Sequence, residues 1–172
     1  MVGAGYVGLV SGACFADFGH DVVCVDKEPS RIERLRAGIM PIYEPGLDEL
    51  VQRNVAAARL SFATELGGAV DGAQAVFIAV GTPSRRGDGH ADLSFVHAAA
   101  GEIAQALTGE TVVVTKSTVP VGTGDAVERI LRDSGTSHRF SVVSNPEFLR
   151  EGAAIAGADR DSRLGHNHRF AR

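Results

Sequence analysis

The sequence predicts a doubly wound, Rossmann-like α/β fold built on a parallel sheet, and two patterns carry that prediction. Apolar runs of strand length recur at residues 22–25, 75–80, 112–114 and 140–143, each bounded by polar or glycine-containing turns. Between them lie segments with the three-and-four spacing of a single helix face. The runs are nearly continuous in hydrophobicity, as strands buried on both faces are, and strands interleaved with helices join in parallel through right-handed crossovers.

Taken in order, residues 9–18 read as a helix stopped by Gly19, and residues 22–25 as the strand after it. Arg31 falls early in a further helix, and Tyr43-Glu44-Pro45-Gly46 reads as a turn and helix start, because proline and glycine break structure there. Leu93, Val96, Ala100, Ile103 and Leu107 mark one face of a helix for which Asp92 is the expected N-cap. Val127, Ile130 and Leu131 mark another, opposite Glu128, Arg129 and Arg132; it starts after Gly122 and Thr123 and stops near Gly135. Beyond Ile155 the chain turns rich in Arg, Asp and His with little apolar periodicity, so residues 1–155 are expected to form one domain and 156–172 a disordered tail.

A chain of 172 residues with 44% hydrophobic content is long enough for one well-buried core and short for two. Its formal net charge of −4 offers no basic surface for phosphate backbones, so a nucleic-acid partner is not expected. No apolar run approaches the roughly 20 residues that span a bilayer, and the amino end lacks a basic, apolar leader, so no membrane partner is expected. Cys14 and Cys24 stand outside any metal-type spacing, in apolar surroundings. They read as small core residues with inert thiols, in a reducing cytoplasm. No metal site is expected, His166 and His168 in the tail included.

Gly3, Gly5 and Gly8 form a GxGxxG run around Ala4, Tyr6 and Val7. Such a run gives a tight turn, lets backbone approach a pyrophosphate and allows close helix-on-strand packing. The helix that follows turns its amide-rich, partially positive end toward the phosphates. Directly after the next strand stands Asp26, where a carboxylate accepts hydrogen bonds from adenosine ribose hydroxyls, which favours NAD over NADP. Arg31 is placed to approach the adenosine edge, although an early-helix Arg is also explained by solvation, and Lys27 leaves some room for NADP. The plain alternative, a purely structural glycine turn, explains the run alone better than it explains the run, helix and Asp26 together.

Four further stretches stand in register with that turn: PIYEPGL at 41–47, VGTP at 80–83, KSTVPVGT at 116–123 and SNPEFLREG at 144–152. Together the five strongly resemble the UDP-glucose/GDP-mannose dehydrogenase family over residues 1–155, and their order and spacing are most similar to the UDP-glucose 6-dehydrogenases. The resemblance implies a nucleotide-sugar substrate oxidised twice at C6, with two NAD reduced, through a thiohemiacetal and thioester on a cysteine in a later domain. It implies that Val80, Gly81, Thr82, Pro83, Ser117 and Thr118 border the nicotinamide, at the sheet edge where open α/β sheets bind ligands. Glu147 matches the family carboxylate that assists water attack or proton transfer, with Thr118 helping to hold the water. Glu147, Phe148, Leu149, Arg150 and Glu151 are implied to contact the sugar nucleotide, with Glu151 also near NAD. Without the family match, Glu147 and Glu151 read as a solvated pair at a helix start.

The resemblance weakens at both ends. Only Met1 and Val2 precede Gly3, where a strand of about five residues normally feeds such a turn, so a shortened central strand and reduced stability are expected. Residues 156–172 match no family motif, and the expectation is a chain without the cysteine-bearing domain and without the long helix through which the family dimerises. Two other functions stay open: a stand-alone NAD-binding module, and a dehydrogenase acting on GDP-mannose or UDP-N-acetylmannosamine.

Overall fold

In the computed structural model, which describes residues 1–85, 87, 89–146 and 149–155, helices and strands alternate along the chain. They are α1 (Tyr6–Asp17), β1 (Val22–Val25), α2 (Pro29–Arg36), α3 (Leu47–Ala56), β2 (Leu60–Ala63), α4 (Leu66–Val70), β3 (Ala75–Ile78), α5 (Ser94–Ala106), β4 (Thr111–Thr115), α6 (Thr123–Asp133) and β5 (Phe140–Ser144). All strand pairs are parallel: β1 with β2 (Val22 opposite Leu60), β3 with β4 (Ala75 opposite Val112) and β4 with β5 (Thr111 opposite Phe140).

The two groups of strands meet at the amino end of the chain. Val2 bridges Val25 on one side and Ile78 on the other. The Val2 N–H donates to Phe77 at 2.7 Å, the Gly3 N–H to Val25 at 2.8 Å, and the Ala79 N–H returns to the Val2 carbonyl at 2.8 Å. The strand order is therefore β2-β1-Val2-β3-β4-β5, the doubly wound arrangement whose order reverses at the central strand. Val2 thus pairs on both sides. On its amino side a cavity of about 720 Å³ opens between β1 and β3, lined by Met1, Val23, Val25, Ala75, Phe77 and Phe15 among others.

Each face of the sheet carries its own core. Val25, Val76, Ile78 and Val113 pack with Val96, Ile103, Val127 and Leu131 from α5 and α6. Cys24, Leu60 and Phe62 pack with Leu9 and Val10 of α1, Ile32 of α2 and Leu47 and Leu50 of α3. Cys24 and Val25 are consecutive in a strand, so their side chains point to opposite faces and the two cores lie on either side of the sheet.

Several bounds differ from the sequence reading for local reasons. Helix α1 starts at Tyr6, ahead of residue 9, because extended Gly5 serves as its N-cap. Strand β3 stops at Ile78, whose carbonyl takes both the Lys116 and Ser117 N–H groups. Asp92 is not the N-cap of α5: Leu93 holds that position, and the Asp92 carboxylate accepts from the Ser94 N–H at 2.9 Å, one residue early. Edge strand β2, with Ser61 exposed, and helix α4 were not apparent from apolar runs, whereas α3 begins at Leu47, directly after the expected turn and helix start at residues 43–46. The 156–172 tail lies outside the described residues.

Candidate active site

The carboxyl ends of the central strand, β1, β3, β4 and β5 converge on the edge where the strand order reverses. There the three glycines of the 3–8 turn do three different jobs. Gly3 has φ +102°, and a Cβ on it would lie 2.5 Å from the Ala79 carbonyl oxygen. A Cβ on Gly8 would lie 1.8 Å from the Gly3 carbonyl oxygen, so only glycine lets α1 close onto the turn. A Cβ on Gly5 would meet nothing within 4 Å. The open side of Gly5 lies at the start of α1, which has no side-chain cap and no acidic residue in its first turn. Tyr6, Val7 and Gly8 thus open a helix whose partial positive end is uncovered and approachable by a diphosphate. Gly12 extends the close packing, since a Cβ there would lie 2.6 Å from Cys24 Sγ.

Asp26 follows β1 and is bound to the glycine turn itself. Its Oδ2 accepts from the Ala4 N–H at 2.9 Å and from Arg31 Nη1 at 2.8 Å, and its Oδ1 accepts from the Glu28 N–H at 3.0 Å. Burial pulls the carboxyl upward, but the Ala4 and Glu28 N–H groups and the Arg31 guanidinium together hold it below the usual carboxylate range. A carboxylate offers about four lone-pair directions. Three are taken among the described residues, which leaves Oδ1 able to accept one ligand hydroxyl. Arg31 also pairs with Glu28 at 2.9 Å, so it is anchored beside Asp26.

The opposite rim consists of the loops after β3 and β4, which are sewn together. Buried Ser117 donates its hydroxyl to the Val80 carbonyl at 2.7 Å, and Thr82 donates to the Thr118 carbonyl at 3.0 Å. Gly81, Pro83 and Thr118 are exposed, and a Cβ on Gly81 would meet nothing within 4 Å. After β5, the Asn145 N–H donates to the Thr115 carbonyl at 2.9 Å and its side-chain oxygen accepts from Lys116 Nζ at 3.3 Å. The structure thus brings Gly3, Gly5, Gly8, Asp26, Arg31, Val80, Gly81, Thr82, Ser117 and Thr118 to one sheet edge.

Glu147 and Phe148 lie outside the described residues. In the segment that follows them Leu149 is half-buried, while Arg150 and Glu151 are exposed. What ties this segment down was not legible beforehand. Glu44, only 1% exposed, accepts from the Tyr6 hydroxyl at 2.9 Å, the Gly152 N–H at 2.8 Å and the Ala154 N–H at 2.8 Å. Burial pulls this carboxyl up too, and the Gly152, Tyr6, Ala154 and Ile155 donors more than compensate and hold it low. The available signal was a carboxylate next to a Pro-Gly break, which the turn explains equally well. Cys14 and Cys24 are buried free thiols, each pushed up to about 11, chiefly by burial.

Comparison with known proteins matches residues 1–170 to the model of the UDP-glucose/GDP-mannose dehydrogenase family, NAD binding domain. A UDP-glucose 6-dehydrogenase of Rhizobium meliloti (strain 1021) is 67% identical over 164 residues, covering 95% of this chain and 38% of that protein. Among solved structures, a UDP-glucose dehydrogenase from Pyrobaculum islandicum aligns with TM-score 0.85 and 49% identity, over 90% of this chain and 37% of that one. A ternary complex of GDP-mannose dehydrogenase from Pseudomonas aeruginosa aligns with TM-score 0.87 and 38% identity, over 92% and 38%. The chain therefore spans well under half the length of the relatives it matches.

Proposed function

Because the chain belongs to the UDP-glucose/GDP-mannose dehydrogenase family, through its NAD-binding domain, we propose that it holds NAD across the reversal of strand order and serves oxidation of a nucleotide sugar, UDP-glucose, to its uronate. The observation that carries this reading is the open side of Gly5 at the uncapped start of α1, beside an Asp26 carboxylate with one acceptor position to spare. Residues 3–8 take the diphosphate, Asp26 takes a ribose hydroxyl with Arg31 beside the adenosine, and residues 80–83 with Ser117 and Thr118 border the nicotinamide. NAD held there would supply the two-electron acceptor, taking a hydride, one proton with two electrons, from C6 in each of two oxidations.

Thr118, exposed on the same rim, orients water, and Glu147 takes the proton from it. Residues 147–151 contact the sugar nucleotide, with Glu151 reaching toward NAD. Cys14 and Cys24, with thiols pushed up to about 11, take no part in covalent chemistry. The substrate reading rests on 67% identity to a UDP-glucose 6-dehydrogenase against 38% to a GDP-mannose dehydrogenase. A reducing, cytoplasmic setting fits the two free thiols.

Calorimetric titration tests the cofactor assignment. NAD binds with a submillimolar Kd, and Asp26→Ala weakens it by about tenfold or more, equivalent to about 1.4 kcal/mol. Arg31→Ala costs less, because removing the guanidinium also frees Oδ2 for a second hydroxyl. NADP binds far more weakly, since its 2′-phosphate meets the Asp26 carboxylate. Absence of heat with NAD, or equal affinity for NADP, would overturn the assignment.

A further inference from the structure

We propose that Glu44 is a positioning residue that couples the cofactor turn to the 149–155 segment, so that NAD binding at the turn orders the segment that borders the sugar nucleotide. This rests on the reading that NAD occupies the 3–8 turn.

The connection is short and built from one carboxylate. Oε2 accepts from both the Tyr6 hydroxyl and the Gly152 N–H, and Oε1 accepts from the Ala154 N–H. Among the described residues Glu44 has no cationic partner. A buried carboxylate without one is balanced chiefly by its hydrogen-bond donors, so each donor lost leaves its charge less well satisfied. Two of those donors belong to residues 108 and 110 positions away in the chain. The third belongs to the first residue of α1, directly after Gly5.

Apolar contacts reinforce the same junction. Tyr6, Ile42, Leu149 and Ile155 all pack against the core that contains Leu47 and Ala154. A Cβ on Gly46, which has φ +81°, would come within 4.0 Å of Ile155 Cγ2. A ligand that fixes the start of α1 therefore fixes the Tyr6 hydroxyl, and through Glu44 the N–H groups of Gly152 and Ala154. Glu44 itself is buried away from the surface.

Hydrogen exchange at the Gly152 and Ala154 amides, measured with and without NAD on the whole chain, reads the coupling directly. In the unmodified protein NAD slows both amides by about fivefold or more, the lower end of typical coupling between sites. In Tyr6→Phe, which removes only the hydroxyl and leaves the backbone of the turn in place, both amides stay protected without NAD, and at NAD concentrations that calorimetry shows to saturate the variant the NAD-dependent slowing disappears. In Glu44→Gln both amides exchange fast whether or not NAD is present. A purely structural Glu44 would leave the NAD-dependent slowing intact in Tyr6→Phe, and that result overturns the proposal. If Glu44→Gln fails to fold, Tyr6→Phe carries the test alone. Heat of NAD binding without slowing in the unmodified protein sinks the coupling and spares the cofactor assignment; no heat sinks both.

Discussion

At Gly8 an added Cβ would lie 1.8 Å from the Gly3 carbonyl oxygen, whereas at Gly5 it would meet nothing within 4 Å. Neighbouring positions of one motif should therefore fail in different assays. Gly8→Ala drives a methyl into backbone that has no flexible end to move, and it should lower folding stability by about 3 kcal/mol, the upper end of ordinary overpacking costs. Gly5→Ala should leave the melting temperature nearly unchanged and weaken NAD about tenfold, because the methyl occupies the space through which the diphosphate approaches. Thermal denaturation and titration on the two variants separate these outcomes; a destabilised Gly5→Ala would remove the argument for open space. Asp26 gives a pH signature of its own. Its folded-state pKa is depressed, so the stability it contributes is fully present above the ordinary carboxylate value of about 4 and is lost as pH falls below it. Asp26→Asn should therefore flatten the acid side of the melting-temperature profile, and an unchanged acid limb would mean that the Ala4, Glu28 and Arg31 contacts contribute nothing. The tight turn at Gly3 and the close packing at Gly8 were legible because the glycine spacing alone signals them. Glu44 was not, because its partners Gly152 and Ala154 lie more than a hundred positions away.

Among elements, the strands were legible in proportion to the continuity of their apolar runs. Residues 22–25 and 75–80 read as strands because they are nearly continuous in hydrophobicity, as strands inside a sheet are, and the second of them stops at Ile78. Strand β2 escaped notice because, as an edge strand of four residues with Ser61 exposed, it has too little apolar pattern to register. Asp92 was legible as a helix-start signal but not in its register, since side-chain oxygens bond N–H groups two or three residues on and both choices fit the sequence. Loop-to-loop ties were not legible at all, and Ser117 is the clearest case. Its hydroxyl reaches the Val80 carbonyl at 2.7 Å, so the end of β4 fixes the loop after β3. Ser117→Ala should leave that carbonyl without its donor and cost about 1 to 2 kcal/mol in urea denaturation with an unchanged m value. NAD affinity should fall along with stability, because residues 80–83 lose their tether; a variant as stable as the parent would show that the hydroxyl is replaceable by water.

On the scale of the whole molecule, Val2 joins the two halves of the sheet, bridging Val25 on one side and Ile78 on the other. The Met1 ammonium donates to the Val23 carbonyl at 2.8 Å, in the place where a peptide N–H normally continues a ladder, and burial pushes its pKa below the ordinary value. Pairing in a parallel ladder alternates, so Val23 and Phe77, whose carbonyls accept from Met1 and Val2, also turn their N–H groups toward this side. Those groups face the cavity of about 720 Å³ between β1 and β3. Three β-branched apolar residues joined ahead of Met1 should extend the strand through that space, at about 3.3 Å per residue. The extension would turn a buried ammonium into a neutral peptide N–H and supply carbonyls to the Val23 and Phe77 amides. With each new hydrogen bond contributing about 1 kcal/mol and each kcal/mol moving the melting temperature of a chain this size by about 2 to 4 °C, the extended protein should melt several degrees higher. A control extension of three glycines adds the same backbone with no side chains to fill the cavity, and it should recover only part of the gain. Equal melting temperatures for the parent and the apolar extension would show that added residues gain nothing from the Val23 and Phe77 amides or from filling the cavity.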